Sequence, residues 1–367
     1  MKWSWRIGTL AGIPVRMHAT FLLIILWVVF LHAGQGTAAI FEGIAFVLSL
    51  FACVVLHELG HAVTARRFGI RTRDITLLPI GGVARLEHMP DKPSQELLVA
   101  LAGPAVNVVI AAGLYLWLQL THTLVPLQDL DVAGGPFLER LLMVNAMLVV
   151  FNLLPAFPMD GGRVLRALLA MTLSYPRATQ IAALVGQSMA FLFGLAGLMM
   201  RPMNPFLMLI ALFVWIGAAQ ESSMVQIKHA LGGIPVSSAM QVDFRTLSPG
   251  DSLGHAIQHI LAGAQQDFPV VDEGRVIGIL TRNDLINGLA KHGEAAPVVD
   301  SMDRDFQTTE ASEMLETAFS RLQSCNCRTL PVLAQDRLVG LLTTENVGEF
   351  LMIHSALEQA TASHRTA

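Results

Sequence analysis

The chain has 367 residues, of which 53% are hydrophobic and only 14% are charged, and its mean hydropathy is +0.55. A typical soluble domain is about 25% charged, so this composition excludes an ordinary, wholly soluble protein. Residues 1–222 hold 14 basic and 11 acidic side chains, and residues 223–367 hold 10 basic and 17 acidic ones. The net charge of −4 gives no positive field to attract a phosphate backbone, so nucleic acid is excluded as an expected partner.

Six apolar runs are long enough to cross about 30 Å of hydrocarbon. They occupy residues 18–33, 38–56, 96–120, 137–157, 181–200 and 205–219. If the N-terminus lies inside the cell, the inner connections hold 12 Lys and Arg residues and the outer ones hold 2. Basic residues in short connections stay on the cytoplasmic side, so the sequence predicts a multi-pass cell-membrane protein with its N-terminus and soluble part in the cytoplasm.

Two stretches between these runs favour β-hairpins at the inner membrane face. Residues 5–17 contain Ala11-Gly12 near their centre, and residues 71–86 contain Gly81-Gly82. Glycine at such positions is typical of a tight turn between two strands.

The second apolar run carries the pattern H-E-x-x-H at His57, Glu58 and His61. On a helix, positions i and i+4 project from one face about 6 Å apart, so both imidazoles can bind one metal ion. Glu58 follows the first ligand directly and can act as general base. An isolated H-E-x-x-H can arise by chance, but three ionisable residues within an apolar run are costly unless they bind an ion or line a cavity.

A catalytic zinc site usually has three protein ligands, and Asp160 is the best candidate for the third. It follows Pro155 and Pro158, which interrupt helical hydrogen bonding, and precedes Gly161-Gly162. The alternative is an Asp that only caps a helix. At 1.5 Å per residue, His61 and His57 lie about 7 and 13 Å from the inner surface, and Asp160 enters from the same side. The site is therefore predicted in the cytoplasmic half of the bilayer.

The soluble part contains a repeat with an offset of 62 residues. Pro269-Val270-Val271 matches Pro331-Val332-Leu333, and the run at 276–281 matches the run at 338–343. Each copy reads as an α+β unit of short strands and helices. Cys325 and Cys327, one residue apart, and Cys53 within the second apolar run suggest reduced thiols and no disulfide framework.

The repeat resembles a tandem pair of cystathionine-β-synthase (CBS) domains, on the signature G-h-h-(S/T)-x-x-(D/N) at residues 278–284 and 340–346. The resemblance implies that Thr281 and Asp284 bind the phosphate and ribose of an adenine nucleotide (AMP, ADP or ATP). Thr343 and Asn346 form the second candidate site, although Asn346 replaces the usual Asp. The alternative is a nucleotide-free module through which two chains form a homodimer.

Residues 1–220 resemble the site-2 protease family of intramembrane zinc metalloproteases. The resemblance rests on H-E-x-x-H at 57–61, N-x-x-P-x-x-x-x-D-G at 152–161 and G-x-x-x-N at 103–107. It implies one Zn²⁺ held by His57, His61 and Asp160, with Glu58 activating water. Asn107 and Asn152 are candidates for binding the substrate backbone or an oxyanion, and interhelical hydrogen bonding is the alternative.

The predicted fold is thus a polytopic α-helical membrane domain with six transmembrane helices and short β-hairpins, followed by an α+β CBS pair. The predicted boundaries are residues 1–222 for the membrane domain, 223–235 for a linker, 236–290 and 298–352 for the CBS copies, and 353–367 for a tail. The expected activity is hydrolysis of a peptide bond in or near a transmembrane segment of a membrane protein, regulated by adenine nucleotide. The alternative is a CBS-gated ion channel or transporter, which should show repeated halves that the first 220 residues lack.

Overall fold

The computed structural model describes residues 3–79, 81–90, 92–123, 135–263, 265–325 and 327–366. The chain divides into two compact units, Met1–Met224 and Val225–Ala367. The strands of the first unit are β1 (Ser4–Leu10), β2 (Ile13–His18), β3 (Thr72–Leu78) and β4 (Gly81–Leu86). Its helices are α1 (Phe21–His32), α2 (Thr37–Arg67), α3 (Pro93–Leu120), α4 (Phe137–Asn152), α5 (Asp160–Ala170) and α6 (Tyr175–Met199), and α7 (Pro205–Leu231) continues into the second unit.

Among the described residues, α2, α3, α6 and α7 are long and apolar enough to cross a membrane. With 31 residues, α2 extends about 46 Å, more than the hydrocarbon core needs. The other two predicted spans yield shorter helices, because α1 has 12 residues and α4 has 16. The first predicted span began at residue 18, but His18 ends β2 and a turn at residues 19–20 precedes α1, while α4 ends before Pro155. Four span-length helices are therefore established, and the six-span topology stays a prediction.

A four-stranded sheet lies beside α2 in the first unit, with the order β1-β2-β3-β4. The pairs β1/β2 and β3/β4 are antiparallel, whereas β2 and β3 run parallel. Ile75 on β3 is fully buried and packs with Ala62 of α2. Because β4 is an outer strand, only one of its two rows of backbone groups pairs with β3.

In the second unit the two copies of the repeat fold alike. The first contains α8 (Leu253–Ala262), β5 (Phe268–Asp272), β6 (Arg275–Leu280) and α9 (Arg282–His292), and the second contains β7 (Thr309–Glu310), α10 (Leu315–Cys325), β8 (Thr329–Ala334), β9 (Arg337–Thr343) and α11 (Thr344–Thr366). Val270 pairs with Gly278 and Val332 with Gly340, so the strand register repeats at the same offset as the sequence. Each copy has its own hydrophobic core, and Leu231 of α7 is buried in that of the second copy.

The expectation of reduced thiols is wrong for one pair of cysteines. Cys325 and Cys327 form a disulfide bond, with Cα atoms 5.1 Å apart, while Cys53 is a free, buried thiol. This Cα separation lies within the range that a disulfide bond allows.

Arg166 of α5 is fully buried and joins three helices. Its Nε donates to Oε1 of Glu96 on α3 over 2.7 Å, and its Nη1 lies 2.5 Å from Oε1 of Glu221 on α7. The guanidinium carbon lies 5.0 Å from the ring centroids of both Phe157 and Tyr175. The sequence analysis placed Arg166 among the basic residues of the inner surface, and this is wrong. Its charge is neutralised inside the protein, so Arg166 carries no information on the orientation of the chain in the membrane.

Removing the buried cation should destabilise the first unit. Arg166→Met leaves Glu96 as an unpaired buried carboxylate, and breaking such a pair costs about 3–5 kcal/mol. Thermal unfolding of the purified protein in detergent should show a clear fall in the midpoint. The double variant Arg166→Met with Glu96→Leu should recover part of the loss, because the fully buried carboxylate is gone and the remaining one, Glu221, is 33% exposed and can be solvated. A single variant that unfolds like the wild type would contradict this account.

Candidate metal centre

Three side chains from two distant parts of the chain converge in the first unit. His57 and His61 lie one turn apart on α2, and Asp160 is the first residue of α5. Oδ2 of Asp160 lies 3.2 Å from Nε2 of His57 and 3.0 Å from Nε2 of His61, and the two Nε2 atoms are 3.1 Å apart. The three residues are only 5–6% exposed.

This donor set fits a divalent metal ion. Imidazole nitrogen and carboxylate oxygen bind Zn²⁺ at about 2.0–2.2 Å, so neighbouring ligand atoms in a tetrahedral site lie about 3.3 Å apart. The observed separations of 3.0–3.2 Å approach that spacing. If both imidazoles are neutral with the proton on Nδ1, the three converging atoms are all acceptors, and a cation between them would satisfy them in this buried position. The cluster is therefore compatible with a single bound metal.

The second ring nitrogen of His61 is held by the backbone. Nδ1 of His61 lies 2.7 Å from the carbonyl oxygen of Val99 on α3. A carbonyl only accepts, so Nδ1 carries the proton and Nε2 presents its lone pair to Asp160 and His57. This is the usual arrangement around a metal-binding histidine.

A glycine on α3 leaves the room that the cluster occupies. A Cβ atom at Gly103 would lie 2.1 Å from Nε2 of His61 and 2.7 Å from Nε2 of His57. At Gly60 of α2, a Cβ atom would lie 2.7 Å from the carbonyl oxygen of Ala102. The two glycines allow α2 and α3 to approach closely on the side of the cluster.

Glu58 faces the sheet and is less buried than the three converging residues. Its Oε2 accepts a hydrogen bond from the backbone N–H of Ala84 on β4 over 3.0 Å. Ala84 uses the row of β4 that does not pair with β3, so the outer edge of the sheet meets the residue next to His57. The carboxylate is thus positioned beside the cluster without belonging to it.

Asp160 is presented by a break between two helices. As the two prolines predicted, α4 ends at Asn152, and the next helix begins only at Asp160. A Cβ atom would lie 2.2 Å from the Leu154 carbonyl oxygen at Gly161 and 2.6 Å from the Phe157 nitrogen at Gly162. The glycines let α5 begin directly against residues 153–157, and the carboxylate lies at a helix N-terminus, where negative charge is favoured.

Of the asparagines on the apolar helices, Asn107 and Asn145 are hydrogen-bonded towards the metal cluster, whereas Asn152 bonds to its own helix. Oδ1 of Asn107 contacts Nδ1 of His57 at 2.5 Å, and its amide donates to Oδ1 of Asn145 on α4 over 2.8 Å. Asn152, in contrast, donates to the Leu148 carbonyl of its own helix. Asn145 did not emerge from the sequence analysis, although a fully buried amide within an apolar run is the kind of residue that marks a site.

The candidate nucleotide residues of the second unit cap helices. Thr281 accepts from the N–H of Asp284 at the start of α9, and Thr343 accepts from the N–H of Asn346 at the start of α11. A cavity of about 340 Å³ lies between the two copies and is lined by residues of both. Its lining includes Gln265, Asp267, Arg328, Thr343, Asn346 and Glu349.

Comparison with known proteins gives two family matches. The model of peptidase family M50 matches residues 45–131 and 130–196, and the CBS domain model matches residues 236–291. A zinc metalloprotease of Methanocaldococcus jannaschii is 36% identical over 309 residues, covering 84% of this chain and 87% of that protein. Stage IV sporulation protein FB of Bacillus subtilis is 24% identical over 247 residues, covering 66% of this chain and 82% of that protein.

Among solved structures, the site-2 protease from Methanocaldococcus jannaschii is similar at 40% identity with a TM-score of 0.44, covering 60% of this chain and 95% of that one. Membership of the family is shown by the zinc metalloprotease relative, through its 36% identity and its coverage of both chains, and the M50 model agrees with it. The chain therefore belongs to peptidase family M50, the site-2 protease family, and is a metalloprotease with CBS sequence in its second unit.

Proposed function

We propose that this chain is an intramembrane zinc protease that hydrolyses a peptide bond in or near a transmembrane segment of another membrane protein. The observation that carries the proposal is the convergence of His57, His61 and Asp160 beside Glu58 on a helix long and apolar enough to cross a membrane. We place the N-terminus and the second unit in the cytoplasm, on the predicted charge asymmetry of the connections.

His57, His61 and Asp160 would hold one Zn²⁺ ion, as the donor types and their spacing support. When bound, zinc supplies a Lewis acid that polarises oxygen and makes water nucleophilic near neutral pH. The two imidazoles would bind the ion through Nε2, and the Asp160 carboxylate would contribute the negative charge that offsets the ion in a buried site.

Glu58 would act as the general base. Its carboxylate takes the proton from the attacking water and can later deliver that proton to the departing amine nitrogen. The N–H of Ala84 holds one carboxylate oxygen, so the other remains to receive the proton. The partial exposure of Glu58 also indicates the side from which water and the peptide reach the cluster.

The role of Glu58 can be separated from metal binding. Glu58→Gln keeps the shape of the side chain but removes the base, so cleavage should fall by about 100- to 10,000-fold while zinc remains bound. Co-expression with candidate single-span membrane proteins, followed by detection of a shortened product, measures cleavage, and elemental analysis measures zinc.

Glu42→Gln is a matched control, because Glu42 lies on the same helix, is exposed and contacts Arg140 at 3.5 Å, away from the metal cluster. Its cleavage should equal that of the wild type. If Glu58→Gln cleaves normally with zinc bound, Glu58 is not the base.

The close approach of α3 gives a second prediction. Gly103→Ala places a methyl group against both Nε2 atoms, so purified protein should lose most of its zinc. Gly113→Ala on the same helix is the control, because a Cβ atom there meets nothing within 4 Å. Zinc at wild-type stoichiometry in the Gly103→Ala protein would contradict the assignment of His57 and His61 as ligands.

We also propose that the cavity between the two CBS copies, which contains Thr343 and Asn346, binds an adenine nucleotide that regulates the protease. Support comes from the volume of about 340 Å³ and from the position of Thr343 and Asn346 in its lining. Arg328 supplies a cation for a phosphate, and hydroxyl and amide groups suit a ribose. Regulation requires that nucleotide bind two arrangements of the protein with different affinity.

Calorimetric titration of AMP, ADP and ATP tests the nucleotide site. Thr343→Val removes one hydroxyl from the cavity and should weaken binding about tenfold, the effect of one hydrogen bond. Thr281→Val, at the equivalent position of the first copy, should bind normally. Wild-type protein that binds none of the three nucleotides would overturn the proposal, and loss of binding in Thr281→Val alone would move the site to the first copy.

A further inference from the structure

A chain of hydrogen bonds runs from His57 into the interior of the helical bundle. It passes through Asn107 on α3 and Asn145 on α4, and it ends at the backbone carbonyl of Leu141. Both asparagines are fully buried, so no solvent competes for their amides. In such a setting an incorrectly oriented amide costs the full penalty of an unsatisfied polar group.

The polarity of this chain is fixed at its inner end. The Leu141 carbonyl can only accept, and it lies 2.8 Å from Nδ2 of Asn145, which must therefore be the donor. Oδ1 of Asn145 then faces α3 and accepts from Nδ2 of Asn107 over 2.8 Å. The orientation of the second amide follows from that of the first.

The same polarity determines the proton of His57. With Nδ2 of Asn107 committed to Asn145, its Oδ1 faces the imidazole and requires a proton on Nδ1 of His57. Nε2 is then left with its lone pair, and this is the atom that faces Asp160 and His61. A reversed Asn107 would set two oxygens against each other at Asn145 and two donors against each other at His57.

We propose that Asn145 and Asn107 are positioning residues, which together hold His57 in the tautomer that can bind a metal ion. Asn107 acts on the imidazole as an acceptor, and its NH₂ group is not a donor to the substrate or to an oxyanion. The inference rests on the proposed role of His57 as a ligand. It separates two roles that the sequence left open for Asn107.

Substitutions that distinguish an acceptor from a donor test this inference. Asn107→Asp keeps an acceptor toward His57 but has no NH₂ group, whereas Asn107→Leu has neither. Loss of a hydrogen-bond partner of a metal ligand lowers metal affinity about 10- to 100-fold, which is the expected effect of Asn107→Leu. Asn107→Asp should stay within about tenfold of the wild type. The measurement is competition for Zn²⁺ between the purified protein and a chelator.

Cleavage at saturating zinc is the second readout. If Asn107 only positions His57, Asn107→Asp should cleave within about tenfold of the wild type once zinc is saturating. A donor to an oxyanion would instead be worth about 100- to 1,000-fold in cleavage, lost equally in the Asp and Leu variants. That second pattern, or wild-type zinc affinity in Asn107→Leu, overturns the inference.

Asn145 provides an independent variant should Asn107→Leu fail to fold. Asn145→Ala leaves the Asn107 amide free to reverse, so zinc affinity should fall although no contact to His57 is altered directly. Unchanged affinity in this variant also overturns the inference. If the wild type itself binds no zinc, the proposed ligand set fails, and the two failures are thereby distinguished.

Discussion

The structure of the first unit depends on one constraint: an ionisable group buried among apolar helices must have a partner within contact distance. His57, His61 and Asp160 satisfy this constraint by converging on a common centre, at separations that suit a metal ion. Arg166 satisfies it by contacting two carboxylates. Both solutions involve α5, which presents Asp160 at its first residue and Arg166 less than two turns later. The helix that supplies the carboxylate to the candidate centre is thereby fixed to α3 and α7.

Different residues around the candidate centre position its different ligands. The Val99 carbonyl orients His61, the two asparagines orient His57, and Gly103 leaves the space between them and α3. These groups can influence metal binding without contacting a substrate. A site prepared in this way would bind a metal ion without a rearrangement of the helices.

Much of the candidate centre could be predicted from the sequence, because its residues stand out against apolar surroundings. H-E-x-x-H has helical spacing, and Asp160 follows a visible break in the helix pattern. The sequence left two roles open for Asn107 and placed Arg166 at the inner surface, because the partners of each lie more than 35 residues away in the chain. The repeat also predicted that the two copies share one strand register. The apolar run at 18–33 overestimated α1 by a few residues, because hydropathy does not mark the turn at residues 19–20 where the helix begins.

The interlocking of Gly60 with Ala102, and of Gly103 with the two imidazoles, has a mechanical consequence. At these two glycines α2 and α3 are already as close as their backbone and ring atoms allow. Movement of one helix along or around the other would therefore cause steric clashes. By contrast, Glu58 and the edge of β4 are joined by a single hydrogen bond, from the N–H of Ala84 to Oε2. One such bond can break and re-form at little cost. The edge of the sheet beside Glu58 is therefore the side of the cluster that can open with the smaller change in packing.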